Sequence, residues 1–354
     1  MSRTIRKKPS VLAFNVPGQY SGDDLRLELP ITVAELAEAQ DHSYSYMDHM
    51  NEHFDFRLAC EPWMWNNRTK LLSRSENDFK FTNITFPALR HRETILAMTA
   101  WFSYLCTIDD LVEAMDPGEA QQVLQESIKI MKMPYGPLKN HMSVEDTPAE
   151  RIIHITYAFC RHLQTLLSEF TYRRVILAAS DVFGGIMAES PIRATGIAPA
   201  NMDEYMKIRV RTIGIAPLAM LVESETLPQN HAKSSALRAL EKEIYGVVGL
   251  QNDVLGLEKD LREGEVMNFV VVDSGINLTS SDVMTEDGRQ KVREGVAHLV
   301  IHHNERLQLA KRLRKAIASR PDDSVEKESA EALYLLSATH FYWASTAKRY
   351  RVSY

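Results

Sequence analysis

Cysteine is scarce in this chain: three residues in 354, Cys60, Cys106 and Cys160. No two of them have metal-ligand spacing, and an odd count argues against a disulfide framework. That pattern suits a reducing compartment, so a cytoplasmic protein is expected. Basic excess is missing as well. Lys and Arg number 41 against 47 Asp and Glu, a formal charge of −6, which argues against a nucleic-acid partner. A long apolar run is absent behind the basic start MSRTIRKKPS, so neither a secretory leader nor a membrane span is expected. There is no internal repeat of the kind a helical solenoid shows, and no low-complexity segment.

What remains is ordinary globular composition, 45% hydrophobic and 25% charged. Residues 1–30, punctuated by Pro and Gly, read as a flexible arm. Beyond them the apolar residues recur at the helical period. Helices are predicted near 88–115, 119–132, 148–166, 171–189, 202–223, 231–262, 287–318 and 325–350. Breakers such as MPYGP (133–137) and SRPDDS (319–324) separate some of them. NFVVVD (268–273) has the composition of a strand, but one strand lacks a partner. No long linker divides residues 31–354, so one all-α domain is expected.

Two acidic stretches interrupt apolar helices. In WFSYLCTIDDLVEAM (101–115), Asp109 and Glu113 are one turn apart on one face, with Asp110 rotated by about 100°. Hard carboxylate oxygens at this spacing suit Mg²⁺; a helix end reaching solvent would look the same. In NDVLGLEKD (252–260), Asn252, Lys259 and Asp260 form a polar stripe with Gly256 between them. The preceding EIYGVVGLQ is apolar, and a polar stripe on a buried helix is costly unless its groups are satisfied. An amide oxygen and a carboxylate there would hold a second cation. FGGIMAE (183–189) sets two glycines in a helix, read as a break or a close packing contact. His302–His303 is read as a surface or capping pair, because adjacent helical residues diverge and no third ligand is spaced to help.

Taken together, these stretches resemble those of class I terpene synthases of the microbial, single-domain kind. DDLVE (109–113) is similar to the family's aspartate-rich motif, and NDVLGLEKD to its second metal motif. EYMKIRVRTIG (204–214) is similar to the segment carrying the diphosphate-sensing arginine, and WASTAKRY (343–350) to the C-terminal element ending in Arg-Tyr. The resemblance covers about residues 100–350. It implies an α-bundle around a central cavity and cyclisation of a linear isoprenyl diphosphate with Mg²⁺, three ions, releasing pyrophosphate. Farnesyl diphosphate is the expected substrate and geranylgeranyl diphosphate the alternative. No protein partner is implied beyond a homodimer, and a monomer fits equally.

By the same resemblance Asp109, Asp110, Glu113, Asn252, Gly256 and Asp260 fall on metal-ligand positions. Asp110, given its rotation, is better suited to meet Arg349. Arg209 is the sensor, Thr212 the linker and Ile213 the effector. Lys259, Arg349 and Tyr350 would hold the diphosphate, and Glu189 stands where many members carry an acid that reaches a metal through water. Phe102, Leu105 and Trp343 are candidates for the apolar pocket, with Tyr104 in the core. One departure stands out: Gly256 occupies the place of a serine or threonine and removes a hydroxyl ligand that a water would have to replace. A chain-elongating prenyltransferase would show a second DDxxD instead. A helical relative that has lost a metal through Gly256 is the non-enzymatic alternative.

Overall fold

The computed structural model describes residues 12–15, 26–29, 46–136, 147–278, 285–320 and 324–347. Twelve α-helices account for most of them. They are α1 (Tyr46–Cys60), α2 (Arg68–Thr85), α3 (Arg92–Glu113), α4 (Pro117–Met131), α5 (Pro148–Leu166) and α6 (Glu169–Thr195), followed by α7 (Met202–Thr212), α8 (Ile215–Thr226), α9 (Ser235–Glu263), α10 (Phe269–Ser274), α11 (Glu286–Ala318) and α12 (Ser324–Thr346). A 3₁₀ turn, Pro62–Asn67, leads into α2. The all-α expectation holds for the bundle.

Local chemistry sets many of the boundaries. Pro117 and Pro148 begin α4 and α5, where a missing N–H costs nothing. Thr147, Ser168 and Ser234 accept hydrogen bonds from first-turn amides of α5, α6 and α9. Two apolar clusters build the core. One centres on Trp101, Tyr104, Phe159 and Phe183, the other on Tyr205, Phe269, Leu299 and Phe341; Trp343 packs against both. Tyr104 is core as expected: its ring stacks on Phe159 at 4.2 Å and its hydroxyl meets Thr156 at 2.9 Å.

Three expectations change, and one pair of alternatives is decided. The N-terminal region is not simply a flexible arm, because Leu12–Asn15 (β1) and Arg26–Leu29 (β2) pair antiparallel. Leu27 and Leu29 are buried in the second cluster, and Glu28, between them, hydrogen-bonds to Asn304 and Gln308 of α11. NFVVVD is helical, not a strand. Asn268 caps α10 through Val270 N at 2.9 Å and Gly275 ends it, so tertiary packing overrides the β-branched run. Of the two readings of FGGIMAE, close packing holds: α6 runs unbroken through its glycines, and an added Cβ on Gly185 would lie 2.9 Å from the Cβ of Arg211 on α7. His303 is fully buried, while His302 is exposed.

By length and composition α3 and α6 are apolar enough to cross a membrane. In this fold their most apolar windows are 67% and 50% buried among neighbouring helices, the pattern of core helices.

Candidate active site

A cavity of about 420 Å³ opens between α3, α6, the α7–α8 break, α9 and α12. Its floor is apolar. Phe81 and Phe102 stack at 3.8 Å, and Trp343 meets both edge-on at 4.8 and 5.4 Å. Trp101 and Leu105 complete that end. Its mouth is polar: Asp109 and Glu113 come from α3, while Asn252, Gly256, Lys259 and Asp260 come from α9. The helical period places both sets. Asp109 and Glu113 are one turn apart, and the α9 residues recur at spacings of four and three.

The break between α7 and α8 lies at Gly214, whose φ of 73° is left-handed. Its carbonyl accepts a hydrogen bond from the Trp101 indole at 2.8 Å. A Cβ there would stand 2.2 Å from Leu105 Cδ2, so glycine is required twice over. The break brings Thr212 and Ile213 to the cavity wall.

Arg209, in the last turn of α7, is buried against α9. Its Nη2 donates to Asn252 Oδ1 at 2.5 Å and pairs with Asp253 Oδ1 at 2.6 Å. Asp253 is itself fully buried, and its Oδ2 accepts from the Tyr205 hydroxyl and from Phe269 N. Burial pushes the Asp253 carboxyl up, against the pull of Arg209. Asp260 is fixed by Asn268, whose Nδ2 donates to its Oδ2 at 2.8 Å. Burial is the main reason its carboxyl is raised to about 7.

On the opposite side Arg193 gathers three acids: Glu113 at 2.6 Å, Glu265 at 3.2 Å and Glu189 at 3.8 Å. Glu189 is buried, and burial raises it to about 7 despite Arg193. Among the described residues its buried Oε1 has no hydrogen-bond partner.

Among the described residues no three His, Cys, Asp or Glu side chains converge as a closed metal cage. The donor set that does line the mouth is all oxygen: Asp109, Glu113, Glu189, Asn252 and Asp260. A divided array of hard donors with one buried oxygen left over fits Mg²⁺, which retains water and takes phosphate oxygens as ligands.

A family model described as terpene synthase family 2, C-terminal metal binding, matches residues 100–296, more than half of the chain. The chain belongs to terpene synthase family 2. It is 20% identical over 217 residues to terpene cyclase braA of Annulohypoxylon truncatum, covering 58% of this chain and 56% of that one. It is 25% identical over 107 residues to terpene cyclase 4 of Gibberella fujikuroi, 29% of each. These alignments span about half or less of the curated relatives. Among solved structures, a linalool/nerolidol synthase from Streptomyces clavuligerus superposes with a TM-score of 0.55 at 17% identity, covering 87% of this chain and 95% of that one. An α-eudesmol synthase does so with a TM-score of 0.60 at 18% identity, covering 92% and 100%. At these identities the structures establish the class I terpene synthase fold.

Against that fold, Phe102, Leu105, Trp343, Asp109, Glu113, Arg209, Thr212, Ile213, Asn252, Gly256, Lys259 and Asp260 all line one cavity. Asp110 does not; it is exposed and turned off the cavity face, as the helical rotation requires. Arg349 and Tyr350 lie outside the described residues. Lys259 reaches the rim, paired with Glu263 at 3.4 Å.

Several lining or supporting residues escaped the sequence reading. Arg193 stands four residues after Glu189, a spacing that signals a helical ion pair. Asp253 sits inside the second metal motif, next to Asn252. Asn268 and Phe81 carry no local signal, because folding alone brings them to Asp260 and Phe102.

Proposed function

We propose that this terpene synthase ionises a linear isoprenyl diphosphate, cyclises the resulting carbocation and releases pyrophosphate. The observation that carries this reading is the polarity of this cavity: an aromatic floor of Phe81, Phe102 and Trp343 beneath a mouth with oxygen donors on two facing helices.

Arg209 and Lys259 would bind the diphosphate at the mouth. Arg209 suits this because its fork matches phosphate oxygens and Asp253 holds it in place. Arg349 and Tyr350 would join them from the C-terminal element. Asp109 on one side, and Asn252 and Asp260 on the other, would hold Mg²⁺, with Glu189 assisting. When bound, Mg²⁺ would act as a Lewis acid on the diphosphate oxygens. Thr212 and Ile213, displayed by the break at Gly214, would face the ionising end of the substrate. Three aromatic rings then line the space where positive charge develops; cation–π attraction there is worth about 2 kcal/mol when desolvated. The floor also excludes water, which would otherwise capture the cation.

Farnesyl diphosphate is the substrate we favour. A cavity of about 420 Å³ is near the lower end of ligand pockets, roughly 300–1,000 Å³, which supports fifteen carbons over twenty. Gly256 favours one second reading, a relative with weakened metal binding. Incubation with geranyl, farnesyl and geranylgeranyl diphosphates plus Mg²⁺ tests both, with pyrophosphate release and mass-spectrometric products as readouts. Release with farnesyl diphosphate and a cyclic C15 product is expected. No release with any of the three would sink the enzyme reading.

A further inference from the structure

His340 of α12 lines the cavity one turn below Trp343, its ring centroid 6.0 Å from the indole. It ends a buried polar chain that runs from the cavity to the N-terminal strand. His340 Nδ1 lies 3.0 Å from Gln251 Oε1. Gln251 Nε2 lies 2.6 Å from the Ser337 carbonyl and 3.1 Å from His303 Nε2. His303 Nδ1 lies 2.9 Å from Asn304 Oδ1, which also accepts from Glu28 N of β2 at 3.1 Å.

The protons along this chain can be assigned from chemistry alone. A carbonyl oxygen only accepts, so the Gln251 atom facing Ser337 must be its amide nitrogen. That nitrogen also donates to His303 Nε2, which is therefore bare, and His303 carries its proton on Nδ1, toward Asn304. The Gln251 oxygen is then left to face His340, so His340 must donate from Nδ1. Its Nε2 is left as an unprotonated lone pair. Among the described residues the hydrogen bond that His340 makes is the one at Nδ1, and the ring lines the cavity.

We propose that His340 Nε2 is the base that ends the reaction. It takes a proton from a carbon beside the cationic centre: the C–H bond breaks, its electron pair forms the alkene, and the imidazole becomes imidazolium. The proton then passes to released pyrophosphate or to water as the site opens. The step needs no further reactant. It rests on the reading of the cavity as a prenyl-cation chamber.

The chain explains why the base is ready. Burial, with the nearby Arg209 charge adding to it, holds the His340 imidazole down at about 3, so it meets the substrate neutral. His303, buried in turn, is held at about 4. A carbocation is a far stronger acid than imidazolium, so the transfer remains downhill. Gln251 acts as a positioning residue, because it dictates which nitrogen keeps the proton.

Two measurements test this. In the wild-type protein labelled with ¹⁵N-histidine, NMR should read His340 as protonated on Nδ1 and bare on Nε2, with His340→Asn used to assign the signal. A proton on Nε2 overturns the proposal without any turnover. Product composition of His340→Asn, expressed per pyrophosphate released, is the second readout. The share of the wild-type product should fall by about tenfold or more, in favour of other alkenes or alcohols. Gln251→Leu, which frees the tautomer, should shift products in the same direction. An unchanged product profile in His340→Asn, with pyrophosphate still released, overturns the base alone and points to pyrophosphate as acceptor. Absence of pyrophosphate release by the wild-type protein overturns the underlying reading as well. Should the variants not fold, the His340 signal can be assigned in the wild-type protein from its ring contact with Trp343, and the NMR result still decides.

Discussion

At the scale of single residues, Asp109 and Gly256 carry the sharpest consequences. Asp109 is the α3 acid that faces the α9 donors across the mouth. Asp109→Asn keeps the shape and one oxygen but loses the charge. We expect pyrophosphate release to fall by about 100-fold or more with an unchanged melting temperature, since removing one preorganised electrostatic partner commonly costs that much. Wild-type turnover in this variant would refute the metal role. Gly256 is a different case. A Cβ at that position would come 3.3 Å from Asp260 Oδ2, the end of a side chain held by one hydrogen bond from Asn268, so a shift of a few tenths of an ångström is enough. Gly256→Ser should therefore fold, and gain about 0.5 kcal/mol from better helix propensity, read by urea unfolding. The Mg²⁺ concentration for half-maximal activity should stay level or drop. A rise of several fold with intact folding would show that Asp260 needs the space glycine leaves.

Among elements, the α7–α8 break matters most, because it presents Thr212 and Ile213 to the cavity. Two independent constraints meet at Gly214: a left-handed φ of 73° and the side chain of Leu105 at 2.2 Å from any added Cβ. Gly214→Ala should lose roughly 2–3 kcal/mol of stability by chemical denaturation. Adding Leu105→Ala should return the steric part but not the backbone part, giving a coupling of about 1 kcal/mol in a double-mutant cycle. Full recovery would show that φ carries no strain. Apolar periodicity reads residues 202–223 as one helix and passes over the break; α3 and α9 were legible, because apolar periodicity with an abrupt polar stripe reports both the helix and the face that opens on a cavity. Asp109, Asn252 and Asp260 were readable for that reason. Asn268 was not, since its role depends on loop placement that no local period encodes, and the spacing of Arg193 from Glu189 does not reveal its pairing with Glu113 and Glu265. The strand holding Leu27 and Leu29 was missed because a four-residue alternation is too short to stand out beside Pro and Gly. α10 was misread because a cap residue and packing against α11 decided its conformation over three consecutive valines.

For the whole molecule, buried titratable groups set how stability follows pH. Burial lowers His162 and His303 to about 4 and His340 to about 3, from an ordinary 6.5. Between those limits the unfolded chain binds more protons than the native one, so these groups contribute stability fully above 6.5 and lose it on acidification. Four carboxyls act the other way, Asp253 among them, raised by burial. Glu189 and Asp260 are raised to about 7, and Glu241, beside Glu223, to about 8, from ordinary values of 4.5 and 3.8. There the native state binds more protons, so their contribution is complete below the ordinary carboxyl range and is lost as pH rises through 7 to 8. Where the windows overlap, about pH 4.5–6.5, the opposing slopes offset one another. Below that range only the histidine loss continues, joined by Asp78, lowered by Arg57 against burial, and Glu223, lowered against burial by its hydrogen bond with Glu241 and by Lys233. Above it only the carboxyl loss continues. The metal-free protein should therefore melt at a nearly constant temperature from about pH 4.5 to 6.5 and progressively lower on both sides. Glu241→Gln, remote from the cavity, should flatten the alkaline limb; its amide can still donate to Glu223, so the acid limb should change little. Parallel melting curves for that variant and the wild type from pH 6.5 to 9 would show that Glu241 is ionised throughout, and that Lys233 outweighs burial.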